Sequence, residues 1–230
     1  KRFPIKEIRL HLPQHGEFAE AFLADTSRFT IKKGDFLAES SLEAETERSS
    51  SILRNQGFYD FSKNNYFFEA DTLTDPGYAI LDLTVNEYTR NESPKEAEPI
   101  RRFYINNVSM SYPKDLEIKE SILLNLNTIV PGELYDEDAV NNTYSRLSAL
   151  DVFSSVNIGM DKADTNKVNC AINLIPSKLQ GVKFDLELST NSSGLFGISP
   201  QFSYFHKNIF HGGEWLNLSF MGNHQFRFHD

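Results

Sequence analysis

The sequence predicts an α+β protein with two tandem strand–helix–helix–strand–strand units, followed by antiparallel strands of an incomplete β-barrel. Three observations carry that prediction. An N-terminal apolar pattern recurs about 100 residues later. Each copy is followed by two stretches with helical spacing and then two with strand spacing. The residues from Gly181 onward alternate apolar and polar side chains in long runs separated by turn formers.

The opening strand runs through residues 2–13, and its counterpart through 102–113. Phe3, Ile5, Ile8, Leu10, Leu12 and Pro13 fall opposite Phe103, Ile105, Val108, Met110, Tyr112 and Pro113. Both copies slip phase at the same place, between Ile5 and Ile8 and between Ile105 and Val108, as a β-bulge requires. The first helix of each unit is expected to bury Phe18, Phe22 and Leu23, and then Ile118, Ile122 and Leu123. Gly34-Asp35-Phe36 and Gly132-Glu133-Leu134 mark the turns into the second helices. Ser40 with Glu43 suits a capping box in the first unit, and Asp136 suits an N-cap in the second. The expected core faces are Leu42, Ser49, Ile52 and Leu53, then Val140, Tyr144, Leu147 and Leu150. Gly57, able to adopt the left-handed conformation, ends the first of these helices.

Strands at about 65–71 and 78–88 close the first unit, and strands at about 154–161 and 167–175 the second. The segments are then 1–90, a charged hinge at 91–100 containing Pro99, 101–179, and the barrel strands at 180–230. The barrel runs are Val182-Phe184-Leu186-Leu188, Ile198-Pro200-Phe202-Tyr204 and Leu216-Leu218-Phe220. They are joined by Asn191–Gly194 and by Asn208–Gly213, where Gly212 and Gly213 are structural turn residues. Three strands cannot close a barrel, so the remainder is expected to lie outside this sequence, and Lys1 to begin a processed or truncated form.

Composition narrows the function classes. A net charge of -9 argues against a nucleic-acid partner. One cysteine, Cys170, excludes an intramolecular disulfide framework and any multi-thiolate metal site, and its alternating surroundings mark it as a buried thiol. No apolar run reaches the ~18 residues of a membrane helix, which says nothing about barrel strands. His206/His211 and His11/His15 lack an acidic third ligand and read as surface or turn residues, so no metal site is expected. His211-Gly212-Gly213 has the look of a lipase oxyanion loop, but no Gly-x-Ser-x-Gly elbow accompanies it, and no phosphate-binding glycine loop occurs. Neither catalytic residue nor cofactor is implied. The acidic run Glu39–Glu47 reads as a solvated helix face, with attraction of a basic partner as the alternative.

The repeated unit, with Gly57-Phe58-Tyr59 after its second helix, resembles POTRA (polypeptide-transport-associated) domains. The continuation resembles the first barrel strands of the BamA/TamA superfamily, where Asn-Leu-Phe-Gly-Gly-Gly-Glu is common in an early hairpin. Asn208-Ile209-Phe210-His211-Gly212-Gly213-Glu214 stands here in that form, with histidine in place of one glycine. Leu53–Phe61 and Glu69–Thr72 are most similar to the TamA-like branch of Bacteroidetes. The second unit departs by carrying Asp151 where the family places glycine.

The resemblance implies a non-enzymatic outer-membrane assembly factor with residues 1–179 in the periplasm and its barrel in the lipid. Its implied partners are unfolded outer-membrane proteins, together with other assembly-complex subunits or an inner-membrane-anchored protein. It also implies that the second strand of each unit is an edge to which an extended client adds itself. Those strands carry Tyr66, Phe67, Phe68 and Glu69, and Val156, Asn157, Ile158 and Gly159; packing of the sheet on its own helices is the plainer role for each side chain. A two-partner secretion pore and a soluble periplasmic binding or scaffold protein are the alternatives. A hydrolase is disfavoured by the missing nucleophile motif.

Overall fold

The computed structural model describes residues 3–13, 16–89, 98–190 and 195–227. The Asn191–Gly194 turn, most of the 91–100 hinge and His15 therefore lie outside the described residues. In chain order the elements are β1 (Ile5–His11), α1 (Glu17–Asp25), α2 (Glu39–Arg54), β2 (Tyr66–Asp71), β3 (Ala79–Val85), β4 (Tyr104–Ser111), α3 (Glu120–Leu126), α4 (Glu137–Ser148), β5 (Phe153–Asp164), β6 (Lys167–Pro176), β7 (Gln180–Thr190), β8 (Leu195–His206), β9 (Leu216–Met221) and β10 (His224–Arg227). The strand–helix–helix–strand–strand order thus occurs twice. The first sheet is ordered β1–β3–β2 and the second β4–β6–β5. The residues pack into two compact units, one of Lys1–Val108, Ile129–Val140 and Met160–Cys170, the other of Ser109–Thr128, Asn141–Gly159 and Ala171–Asp230.

In the first unit β1 pairs parallel to β3, and the register shifts between Ile5 and Glu7, where the phase slip predicts a bulge. An aromatic cluster of Phe18, Phe22, Phe29, Phe58, Phe61 and Tyr66 fills the space between helices and sheet. The rings of Phe18 and Phe58 meet edge to face at 5.3 Å. Leu23 does not join them: α1 buries Phe18, Ala21, Phe22 and Asp25, a face of i, i+3, i+4 and i+7, which turns Leu23 outward at 54% exposure.

The second helix corrects two further expectations. α2 starts at Glu39 after Ala38, with no side-chain cap, so Ser40 already lies inside the helix and forms no capping box with Glu43. Its buried face is polar, comprising Glu45, Thr46, Ser49 and Ser50 above Leu53. Polar burial is tolerable only when partnered. Arg48 bridges Glu45 and Asp25, at 2.6 Å to each, while the Thr30 N–H donates to Glu45 at 2.8 Å. Thus the acidic run is solvated at Glu39, Glu43 and Glu47 but interrupted by a buried carboxylate. Burial opposes ionisation of Glu45, yet its bonds from Arg48 and Thr30 hold the carboxyl below the usual glutamate range.

The corner after α2 closes with Phe58 N–H on the Leu53 carbonyl and Gly57 N–H on that of Arg54, with Gly57 at φ 97. This corner meets residues of the second repeat that belong to the same compact unit. The Gly57 carbonyl accepts Phe103 N–H at 2.8 Å. Arg54 pairs with Glu137 at 2.8 Å, and Asn55 exchanges bonds with Asp138. Tyr59 stacks edge-on to Tyr135 and Phe103, and Lys162 pairs with Asp60.

In the second repeat, α4 has Asp136 as its N-cap, accepting Asp138 N–H at 2.9 Å as expected. It buries Thr143 and Leu147, whereas Tyr144 is turned outward at 50% exposure. Strands β7 and β8 pair along their full length, Gln180 with His206 through Thr190 with Phe196. β9 and β10 share one register on the other side of β8, since Met221 faces Gln201 and His224 faces Ile198. They form one strand broken opposite Pro200, which has no N–H to give the ladder. Val182, Phe184, Leu186, Leu188, Phe202, Leu218 and Phe220 share one face of this open sheet and are all exposed. Lys183, Asp185, Gln201, Ser203, Asn217 and Ser219 occupy the other. Cys170, on β6 of the first unit, is buried, which pushes its thiol up to about 11.

Candidate strand-addition cleft

β2 is the terminal strand of the first sheet, and its start is tightly specified. Ser62 and Asn65 form a reciprocal capping box around a short 3₁₀ turn, and buried Asn65 exchanges bonds with the backbone of Asn86. Tyr66 then enters the core, where its hydroxyl bonds Ser49 of α2 at 2.6 Å. Burial pushes this phenol well above the usual tyrosine range, with the Ser49 bond acting in the opposite direction. α2 is therefore pinned to the β2 end of the sheet by a hydroxyl pair.

A cleft of about 660 Å³ lies between α2 and β2. Leu42, Ala44, Thr46, Tyr66 and Phe68 line it, together with Glu39, Ser40, Glu43, Glu47, Lys63 and Asn64. Of the four sequence-predicted residues on β2, Tyr66 and Phe68 belong to this cleft. Phe67 instead lies with its ring 5.7 Å from Tyr88, and Glu69 is exposed. Tyr66 is 1% exposed, so it can only form the floor. The acidic run of α2, for which attraction of a basic partner was the alternative role, contributes Glu39, Glu43 and Glu47 to the cleft at four-residue spacing; its place beside β2 was not visible in the sequence.

β5 is the terminal strand of the second sheet. Val156 is buried, Ile158 half-buried, and Asn157 and Gly159 exposed, so the four predicted residues divide between two faces. The β2 and β5 groups therefore lie on two separate strands. Among the described residues, no cluster of three acidic, histidine or cysteine side chains has metal-binding geometry. His11 bonds Asp82 at 2.9 Å, His206 accepts Asn208 N–H within its turn, and His211 Nδ1 lies 3.0 Å from the Glu117 carbonyl.

The loop after β8 has its own architecture within the second unit. Asn208 is 3% exposed; its Nδ2 donates to the Glu117 carbonyl at 2.6 Å and its Oδ1 accepts Gly213 N–H at 2.9 Å. The His211 carbonyl accepts Lys119 N–H at 2.8 Å, and the Glu214 carboxylate receives the N–H groups of Phe210 and Gly212. A Cβ on Gly212 would collide with that carboxylate, and one on Gly213, at φ 79, would lie 3.2 Å from Leu150. Gly213 is thus required by its turn conformation and a close neighbour, whereas at Gly212, which has no positive φ, the obstacle is the flexible end of the Glu214 side chain.

No protein-family model matches the chain, and no curated protein matches it. Solved structures do. BamA from Haemophilus ducreyi lacking POTRA domains 1-3 superposes with a TM-score of 0.63 at 14% identity, over 97% of this chain and 37% of that one. BamA POTRA3-5 from Haemophilus influenzae gives 0.52 at 14% identity, over 75% of this chain and 61% of that one. CdiB from Acinetobacter baumannii gives 0.48 at 14% identity. The chain therefore spans less than two thirds of either BamA structure. The fold is that of tandem POTRA-like units leading into barrel strands, and the sheet of barrel strands is open.

Proposed function

We propose that this chain is the periplasmic region and first barrel strands of an outer-membrane assembly factor of the BamA/TamA type. It would receive unfolded barrel proteins by strand addition on β2 and β5 and aid their insertion. The observation that carries this reading is the sheet of β7–β10. Val182, Phe184, Leu186, Leu188, Phe202, Leu218 and Phe220 lie exposed on one face while polar side chains predominate on the other, where Met221 is an exposed exception, the reverse of what a water-soluble sheet presents to solvent. Eleven residues of β7 at ~3.3 Å each, tilted ~40°, reach roughly 28 Å along a membrane normal, close to the height of a bilayer core. Two terminal strands, on sheets repeated along the chain, suit capture of extended clients through backbone bonds with little sequence preference. Leu53–Phe61 and Glu69–Thr72 favour the TamA-like branch within that superfamily. Docking of partner subunits on residues 1–179 belongs to the same proposal.

Heat-modifiable gel migration of the natural gene product, extracted in mild detergent, tests the barrel. A faster band before boiling is expected; migration unchanged by boiling overturns the reading. Depletion should then lower many outer-membrane barrel proteins together. Loss of one secreted client alone would point to a dedicated secretion pore instead.

A further inference from the structure

We propose that the α2–β2 cleft selects extended segments whose same-side residues are lysine or arginine, read by a row of glutamates on α2. The inference rests on the strand-addition reading and gives it a chemistry. Glu39, Glu43 and Glu47 line the cleft one helical turn apart. Four residues of helix advance about 6 Å. Alternate residues of an extended strand are separated by roughly 6.6 Å. A segment lying along β2 therefore brings every second side chain past the helix at nearly the spacing of those carboxylates, over two or three positions.

The charge of the cleft is one-sided. Among the described residues its only basic lining residue is Lys63, which already pairs with Glu47 at 3.3 Å. Glu39 and Glu43 are exposed and have no ion-pair partner among the described residues. The apolar lining of Leu42, Tyr66 and Phe68 lies in the same cleft as the glutamates, so it receives the methylene stems of those basic side chains. A lysine or arginine on that phase lays its stem on the apolar floor and its charge at the carboxylates, while the alternate residues point to the opposite face of the sheet. A segment with acidic residues in the same places meets like charge, which is unfavourable. Each contact is a partly exposed ion pair, modest alone and additive along the row.

Two synthetic twelve-residue peptides test this. They share alternating apolar residues and differ only in carrying lysine or glutamate at the intervening positions. Each is added to the 230-residue chain in mild detergent with a photo-crosslinker at Ala70 of β2. The lysine peptide should crosslink at about tenfold lower concentration, and the difference should shrink in high salt. The Glu39→Gln/Glu43→Gln variant, altered only at exposed positions, should lose most of the preference and still crosslink. Equal crosslinking of both peptides overturns the charge selection and leaves strand addition standing. Failure of both peptides to crosslink at Ala70 overturns strand addition at β2, and this inference with it.

Discussion

The two repeats turn from second helix to second strand at equivalent corners, and each corner captures the segment leading to the next sheet. In the first, the Gly57 carbonyl takes Phe103 N–H. In the second, the Val152 carbonyl takes Ser177 N–H at 2.7 Å, and the Asp151 carbonyl takes the Ser177 hydroxyl at 2.6 Å. The role is shared and the chemistry differs. Gly57 adopts φ 97, and a Cβ there would lie 3.0 Å from Leu134. Asp151 has no positive φ, and its corner receives a hydroxyl bond from the incoming chain. Glycine is needed where backbone is packed against a neighbour, and dispensable where a side chain arriving from outside completes the turn.

The largest test of that comparison lies beneath the corners. Phe58 and Val152 are equivalent and fully buried. Phe58→Ala should cost about 3–5 kcal/mol and Val152→Ala about 2 kcal/mol in denaturant unfolding followed by circular dichroism. Equal losses would break the idea that the first corner rests on the larger aromatic core. Next, Gly57→Ala should cost about 2–4 kcal/mol, combining left-handed strain with overpacking. Gly77 has the same φ and nothing within 4 Å of a Cβ, so Gly77→Ala should show the strain alone, about 1–2 kcal/mol. A smaller effect is expected at the loop that meets the second corner. Asn208→Ala leaves the Glu117 carbonyl and Gly213 N–H without their partner and should cost about 1–3 kcal/mol, with faster hydrogen exchange at Gly213.

The gentlest test uses pH. The folded-state pKa of Glu45 is lowered from 4.5, so its contribution is present above that value and lost as pH falls through the folded pKa. Thermal midpoints of the native protein should therefore drop on acidification below about pH 4.5. Glu45→Gln should be less stable at neutral pH and show a shallower acid dependence. An unchanged acid profile would remove Glu45 from the account of why the polar face of α2 is tolerated.

Much of this fold was legible from apolar spacing. The phase slip at Ile5–Ile8 announced the bulge, and the alternation of Val182 through Leu188 announced a strand with one apolar face. What spacing did not reveal was which of two adjacent helical positions turns inward. Leu23 and Tyr144 are large and apolar, yet Ala21 and Thr143 are buried instead, on the faces they share with Phe18 and Leu147. The polar face of α2 was hidden for a related reason: the Glu45–Arg48 pair is local to the helix, but the Thr30 and Asp25 groups that complete its burial come from outside α2 and leave no local pattern. For the cleft, the strand half was visible in Tyr66–Glu69, while the helix half required knowing that α2 runs beside β2.

One mechanical consequence follows from the Asn208 loop. A body joined to a sheet through a single strand can swivel about that tether. Within the second unit, the segment around Glu117–Lys119 grips the β8–β9 turn, while Val152 and Asp151 grip the link into β7 at Ser177. Two separated grips define an axis and remove the swivel. A load applied to the helices of that unit then reaches the β7–β8 strand pair as torque on its turn as well as tension on its link.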